Sequence, residues 1–343
     1  MTTTPLKERF GSQLLAGEPA RDVVGVCERL LAVQAQDLRS ARLAIRARTR
    51  GLTVADFDRA LTAERSVVIG WLNRGTLHLV RKEDYWWLHA LTTPPLLTGN
   101  ARRLAQLGVT PRLAQRGVAA VENALTAEGP LTRDELRERV QSADVPTEGQ
   151  ALIHLLMLSC LRGVAVRGPL VAGKHAYALA RDWLGVPPPF DRPRALAELA
   201  RRYLAGHAPA DDRDLAKWAG LPLRDARAGL DAVGDTVEGL ADGAEPRACL
   251  LDQWDPLLVG WRSRELLLEH YPRKAAAEAH YRPFAYVRAR AVAIWSLRQG
   301  TVAIDEPFTR LTRAEQAALG ADAADVERFF SPRSNVTDVR GGG

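Results

Sequence analysis

The chain has 343 residues, 46% of them hydrophobic and 26% charged, which suits two or three domains around a substantial core and leaves no bias towards disorder. No apolar run reaches the roughly 18 residues of a membrane span, no apolar h-region marks a secretory signal, and three isolated cysteines (Cys27, Cys160, Cys249) match no zinc spacing, so a cytoplasmic, metal-free protein with reduced thiols is expected. A net charge of +6 and a pI of 9.5 point to a polyanionic partner, nucleic acid first, although only five of the 47 basic residues are lysine and an arginine bias also follows from a GC-rich genome.

In chain order, residues 21–80 hold the helical run "DVVGVCERLLAV", a second helix from Asp37, a third in "TVADFDRALTAE" and the strand-like "SVVIGWLNRGTLHLV", with Asn73-Arg74-Gly75 as a hairpin turn. The pattern is clearest over 112–180. "RLAQRGVAAVENALTAEG" reads as an amphipathic helix, and "LTRDELRERV" starts at a capping box of Thr132 and Glu135. "GQALIHLLMLSCLRG" is an apolar helix ending at Gly163, and "VAVRGPLVAGKHAYAL" is a hairpin. Three helices followed by a hairpin is the order of a winged helix-turn-helix. A third copy is expected over 192–243, from "RPRALAELARRYLAGH", "DDRDLAKWAG" and "PLRDARAGLDAV" to "DTVEGLADG". From "ACLLDQWDPLLVGW" onward the texture changes to strands in "RPFAYVRARAVAIWSL" and "TVAIDEPF", then a helix capped by Thr312. The expected fold class is α+β, mostly helical, with three tandem winged helix-turn-helix motifs and a small β-rich C-terminal module. The expected divisions are 1–110, 111–188, 189–245 and 246–331, with a frayed tail over 332–343.

Within the second of these runs, "LLAVQAQDLRSA", two neutral amides, Gln34 and Gln36, stand two apart just before the helix that Asp37 caps. In a helix, residues i and i+2 point about 200° apart, whereas in an extended segment they share a side. If Asp37 is the cap, both amides can face one cavity beside a helix N-terminus, where backbone N–H groups are also available. The plainer alternative is that each amide satisfies a helix end. The tryptophans (Trp86, Trp87, Trp183, Trp218, Trp254, Trp261, Trp295) read as core rather than as base-stacking platforms.

Five ordered fragments, "LLAVQAQDLRSA", "LNRGTLHLVRKEDYWWL", "VAVRGPLVAGKHAYALARDWL", "LLDQWDPLLVGWRSR" and "RPFAYVRARAVAIWSL", give the chain a resemblance to the AlkZ/YcaQ-type winged-helix DNA glycosylases over nearly its whole length. Gln34 and Gln36 match the Gln-x-Gln form of that family's catalytic motif, the form of its AlkZ-like branch. Four positions depart from the pattern. Leu38 stands where proline is frequent, Asp252 where proline is common, and Arg290 and Ala293 replace hairpin glycines.

The resemblance implies tandem winged helices in a C-shaped arrangement around duplex DNA. It also implies a monofunctional enzyme, without cofactor, that hydrolyses the N-glycosidic bond of bulky N7- or N3-alkylated purines and unhooks interstrand crosslinks in some members. Self-resistance to a genotoxin or general alkylation repair is the implied setting. The partner is then double-stranded DNA carrying alkylated purines, with no membrane, a monomeric chain, and a place in the bacterial cytoplasm at the nucleoid. Gln36 is expected nearest the attacking water, its carbonyl holding the water and its NH₂ on the backbone. Candidate DNA contacts are Arg39, Arg42, Arg46, Arg74, His78 and Arg81 near the motif or first wing, and Arg288 and Arg290 on a C-terminal hairpin that could enter the minor groove. The rival readings are a non-catalytic winged-helix regulator that reads the major groove with its third helices, and a protein that sequesters the genotoxin itself.

Overall fold

The computed structural model describes residues 4–234, 244–268 and 282–331. Helix α1 (Thr4–Ser12) precedes the first expected unit, which consists of α2 (Val23–Leu30), the short strand β1 (Val33–Gln34), α3 (Leu38–Ala47) and α4 (Val54–Thr62). Its hairpin is β2 (Val67–Trp71) and β3 (Leu77–Arg81), joined through a 3₁₀ turn at Asn73–Gly75. Asp37 caps α3 as expected, its Oδ1 accepting from Arg39 N at 2.8 Å. Helices α5 (Lys82–Thr92) and α6 (Pro94–Gln106) lead to the second unit. This holds α7 (Pro111–Glu128), β4 (Leu131–Thr132), α8 (Arg133–Gln141), α9 (Ala151–Leu161) and the hairpin β5 (Ala165–Val171) and β6 (Lys174–Leu179). The Thr132–Glu135 capping box is present, with Thr132 N donating to Glu135 Oε2 at 2.7 Å.

After α10 (Ala180–Leu184) come α11 (Arg192–His207), α12 (Asp212–Ala219) and α13 (Leu223–Val233). Three helices stand where the third copy is expected; the wing expected in "DTVEGLADG" lies outside the described residues. The C-terminal module holds β7 (Cys249–Leu251), α14 (Pro256–Val259), a 3₁₀ turn at Glu265–Leu268, β8 (Phe284–Val287), β9 (Arg290–Arg298), β10 (Thr301–Pro307) and α15 (Arg313–Phe330). Thr312 caps α15, accepting from Glu315 N at 3.2 Å. The tail expected over 332–343 is also outside the described residues.

The two complete hairpins merge into one antiparallel sheet of order β1-β3-β2-β5-β6-β4, with Ile69 opposite Arg167 at the seam. An isolated two-stranded wing buries little and exposes two edges, so edge-to-edge pairing stabilises both. One apolar core under this sheet runs from Val23 to Leu179, so the boundary expected near residue 110 does not separate two cores. The opposite face of the sheet packs on α5, α11 and α12 through Tyr85, Leu199, Tyr203 and Trp218.

The second sheet, β10-β9-β8-β7, is covered on one side by Leu6 and Phe10 of α1 and on the other by Leu319 and Val326 of α15. Helix α3 lies between the two sheets. Its Ala41, Ala44 and Ile45 enter the first core, and Leu43 enters the second. Two buried arginines fix its C-terminal end. Arg48 is fully buried and pairs bidentately with Asp255 at 2.7 and 2.8 Å, while its Nη2 also donates to Gln13 Oε1. Arg46 donates to Asp322 at 2.6 and 3.0 Å and to the Leu250 carbonyl. Among the described residues, no helix is long and apolar enough to cross a membrane, and the three cysteines are free and buried.

Candidate active site

Strand β1 pairs antiparallel with β3, placing Val33 opposite Leu79 and Gln34 opposite His78. Val33, Ala35, Leu77 and Leu79 all enter the first core. Because side chains alternate along a strand, Gln34 and His78 point to the other face. Ala35 N extends the ladder to the Leu77 carbonyl at 2.7 Å. There the backbone leaves the sheet, and Gln36 takes its place: Gln36 Oε1 accepts from Leu77 N at 3.1 Å.

A backbone N–H can only donate, so the Gln36 oxygen is the atom engaged and its NH₂ is the end left outward. This reverses the polarity expected for Gln36 from the sequence. Gln36 is exposed, whereas Gln34 is 6% exposed, and among the described residues the Gln34 amide has no hydrogen-bond partner. The extended segment at Gln34 and the Asp37 cap are both present.

The sequence-nominated DNA contacts separate into two groups. Arg39, in the first turn of α3, is exposed, and among the described residues its guanidinium makes no hydrogen bond or ion pair. Arg42 is half-buried, paired with Asp58 and lying over the Phe57 ring at 5.7 Å. The others are likewise occupied within the protein. Arg46 is 2% exposed inside the Asp322 pair, so it cannot reach a phosphate. Arg74 donates to the Trp218 carbonyl, and burial lowers its pKa. Arg81 is held by Asp84 at 2.8 Å and by Glu28 at 3.0 Å.

His78 is 1% exposed, its Nδ1 3.0 Å from the Thr76 carbonyl, and burial with Arg74 nearby pushes it down to about 3. It is a buried neutral ring and not a DNA contact. On the expected C-terminal hairpin, Arg288 is exposed. Arg288 and Ala289 form a tight turn at φ 50° and 59°, Ala289 is fully buried, and Arg290 pairs with Glu315 at 3.5 Å.

Three features escaped the sequence reading. Asp252 lies beside Ser40, Arg39 and Asp37 at the N-terminal end of α3, and burial raises its carboxyl pKa. Its position on the loop after β7 becomes meaningful only because β7 packs along α3. The half-buried Arg167 of β5 stands close to Arg133, and burial, then the neighbouring Arg167 and Arg42, push His175 down to about 3. Arg42 of α3 and Arg167 of the second wing thus both lie near His175. Finally, β9 runs on past the Ile294–Phe284–Leu251 row to Arg298, so the turn at Gln299-Gly300, not the one at Arg288, projects beyond the end of the sheet where Asp252 lies.

The cleft of about 920 Å³ lined by Trp87, Pro188, Phe190, Arg194 and Arg201 contains none of the motif residues. Among the described residues, no group of three His, Cys, Asp or Glu side chains could hold a metal ion.

A family model described as DNA glycosylase AlkZ-like matches residues 27–329. The interstrand DNA cross-link repair glycosylase of Streptomyces sahachiroi is 27% identical to this chain over 346 residues, covering 90% of each protein. The solved structure of Streptomyces sahachiroi DNA glycosylase AlkZ matches at a TM-score of 0.73 and 24% identity, over 96% of this chain and 97% of that one, so the two share a fold. With the family model spanning from α2 to α15, the chain belongs to the AlkZ-like DNA glycosylases.

Proposed function

We propose that this glycosylase releases bulky N7- or N3-alkylated purines from duplex DNA, including crosslinked purines, with Gln34 and Gln36 as its catalytic residues. A role in resistance to a DNA-alkylating natural product fits this substrate class. The observation that carries the reading is the unpartnered Gln34 amide beside the exposed Gln36, at the entrance of α3.

An N7-alkylguanine is cationic and leaves readily without a strong acid. Water attacks C1′, the C1′–N9 bond breaks with its electron pair going to the base and cancelling the positive charge, and the water's proton passes to solvent. An amide is too weak a base to take that proton, so its work is orientation and stabilisation of an oxocarbenium-like transition state. With the Gln36 oxygen bound to Leu77 N, the water is assigned to the Gln34 oxygen, and the outward NH₂ of Gln36 can donate to a sugar or phosphate oxygen. Arg39 and Arg167 supply the phosphate grip, joined by Arg42 where a phosphate displaces Asp58. The regulator reading has no support from α9, the third helix of the second unit, because Leu152, Leu155, Leu156, Leu158 and Leu161 bury it.

The test is single-turnover excision from a duplex carrying one N7-methylguanine, read as alkali-induced strand cleavage. Gln34→Ala and Gln36→Ala should each slow it on the order of 100-fold, as loss of reactant orientation does, with DNA affinity nearly unchanged. Wild-type rates in both variants would rule out the assignment.

A further inference from the structure

We infer that His78 is a positioning residue for the reaction: it holds the Gln34 carboxamide with its NH₂ inward and its oxygen toward the attacking water. This rests on the glutamine reading of the site given above. The two residues are register partners on β1 and β3, and residues directly opposite in an antiparallel pair have Cβ atoms about 5 Å apart. Gly70 of β2 stands on the far side of His78, and the Tyr85 ring lies so close over it that a Cβ on Gly70 would meet Tyr85 Cε2 at 2.6 Å. In the ladder His78 thus stands between Gln34 and Gly70, and the buried Tyr85 that covers Gly70 has a hydroxyl with no hydrogen-bond partner among the described residues.

The tautomer follows from the Thr76 contact. A carbonyl oxygen only accepts, so the Nδ1 atom 3.0 Å from it carries the hydrogen, and Nε2 presents a lone pair. Among the described residues, Nε2 has no hydrogen-bond partner, and neither has the Gln34 amide across the ladder. A lone pair at that position favours the N–H end of the Gln34 amide and repels its oxygen. The amide then turns its oxygen outward, the orientation that accepts an O–H from water and leaves the water's own lone pair free to attack. The opposite orientation would offer an N–H to that lone pair and block it. The ring needs to take no proton in this role, and its burial keeps it neutral.

His78→Asn keeps an amide near the Nδ1 position and removes the acceptor at Nε2; His78→Gln puts an oxygen back there. In single-turnover excision of N7-methylguanine from duplex DNA, H78N should be slower on the order of 100-fold, with half-saturating DNA concentration almost unchanged. H78Q should recover most of the rate, and the double variant Q34A/H78N should be no slower than Q34A, since a residue acting only through Gln34 is non-additive with it. Normal H78N turnover alongside slow Q34A overturns this inference alone; normal Q34A turnover overturns the reading beneath it. Should H78N fail to give a cooperative melting curve, H78Q and H78M decide the matter, because equal rates in that pair exclude a role for an acceptor.

Discussion

His207 shows how far packing can move a side chain from its solution chemistry. It is fully buried, stacked on Tyr203 at 4.5 Å between ring centroids, with Trp218 and Trp261 each 5.3 Å away. Its Nδ1 lies 3.1 Å from the Tyr203 carbonyl, Nε2 has no partner, and burial pushes its pKa down to about 3. The unfolded chain gains a proton at this residue below its ordinary 6.5, and the folded chain does not. Stability is therefore level above pH 6.5 and falls as the pH drops from there towards 3, at about 1.4 kcal/mol per pH unit. His207→Phe keeps a stackable ring and removes the titration. Urea denaturation should show the loss between pH 7 and pH 5 smaller by about 2 kcal/mol in this variant; equal losses in the two proteins would show that His207 is not held neutral. His78, buried to the same degree, adds a similar slope that the variant leaves in place.

At the level of elements, α3 joins the proposed chemistry to the frame. Its first turn carries Arg39 and follows the glutamines, while its last turn is fixed by Arg46 and Arg48 to Asp322 and Asp255 of the C-terminal module. Asp255 also caps α14 through Leu257 N at 2.9 Å, and Gln13 of the N-terminal segment links Arg48 to the Gly206 carbonyl of α11. A buried pair of this kind contributes little over apolar packing, but removing one partner strands a charge, at a cost of roughly 3–5 kcal/mol. Asp255→Ala should lower stability by that amount in chemical denaturation. Arg48→Met together with Asp255→Leu should recover much of it. A D255A loss below about 1 kcal/mol, the range of surface pairs, would mean the pair is solvated.

Across the whole molecule, the net charge of +6 is only partly available to DNA. Arg46, Arg48, Arg74 and Arg202 are held by internal acceptors, and Arg59, Arg139 and Arg201 sit in surface pairs. The phosphate grip should therefore be modest for so basic a chain. With roughly four phosphates neutralised, affinity for duplex DNA should fall about 100-fold between 50 and 200 mM salt. A flat response would remove the electrostatic grip from the account, and a far steeper one would mean that surface pairs open on binding.

Much of the architecture was legible locally. Asp37, Thr132 and Thr312 announced helix starts because capping involves atoms within about three residues, and the second wing followed from its alternating, turn-separated runs. The glutamine pair was legible as a motif, and its extended geometry followed from the Asp37 cap alone. What the sequence left open are the partners that lie far along the chain. The Gln36 oxygen is claimed by a backbone N–H 41 residues away, and Arg46 is neutralised by Asp322, 276 residues away. The same distance problem hid the shared sheet and the closeness of Asp252 to Ser40. Local backbone preference is set by neighbours in sequence, but desolvation and charge pairing are set by neighbours in space. The sequence by itself determined where the two amides stand; only the tertiary structure decided which end of Gln36 is occupied, that Gln34 stands opposite His78, and which arginines remain free to meet DNA.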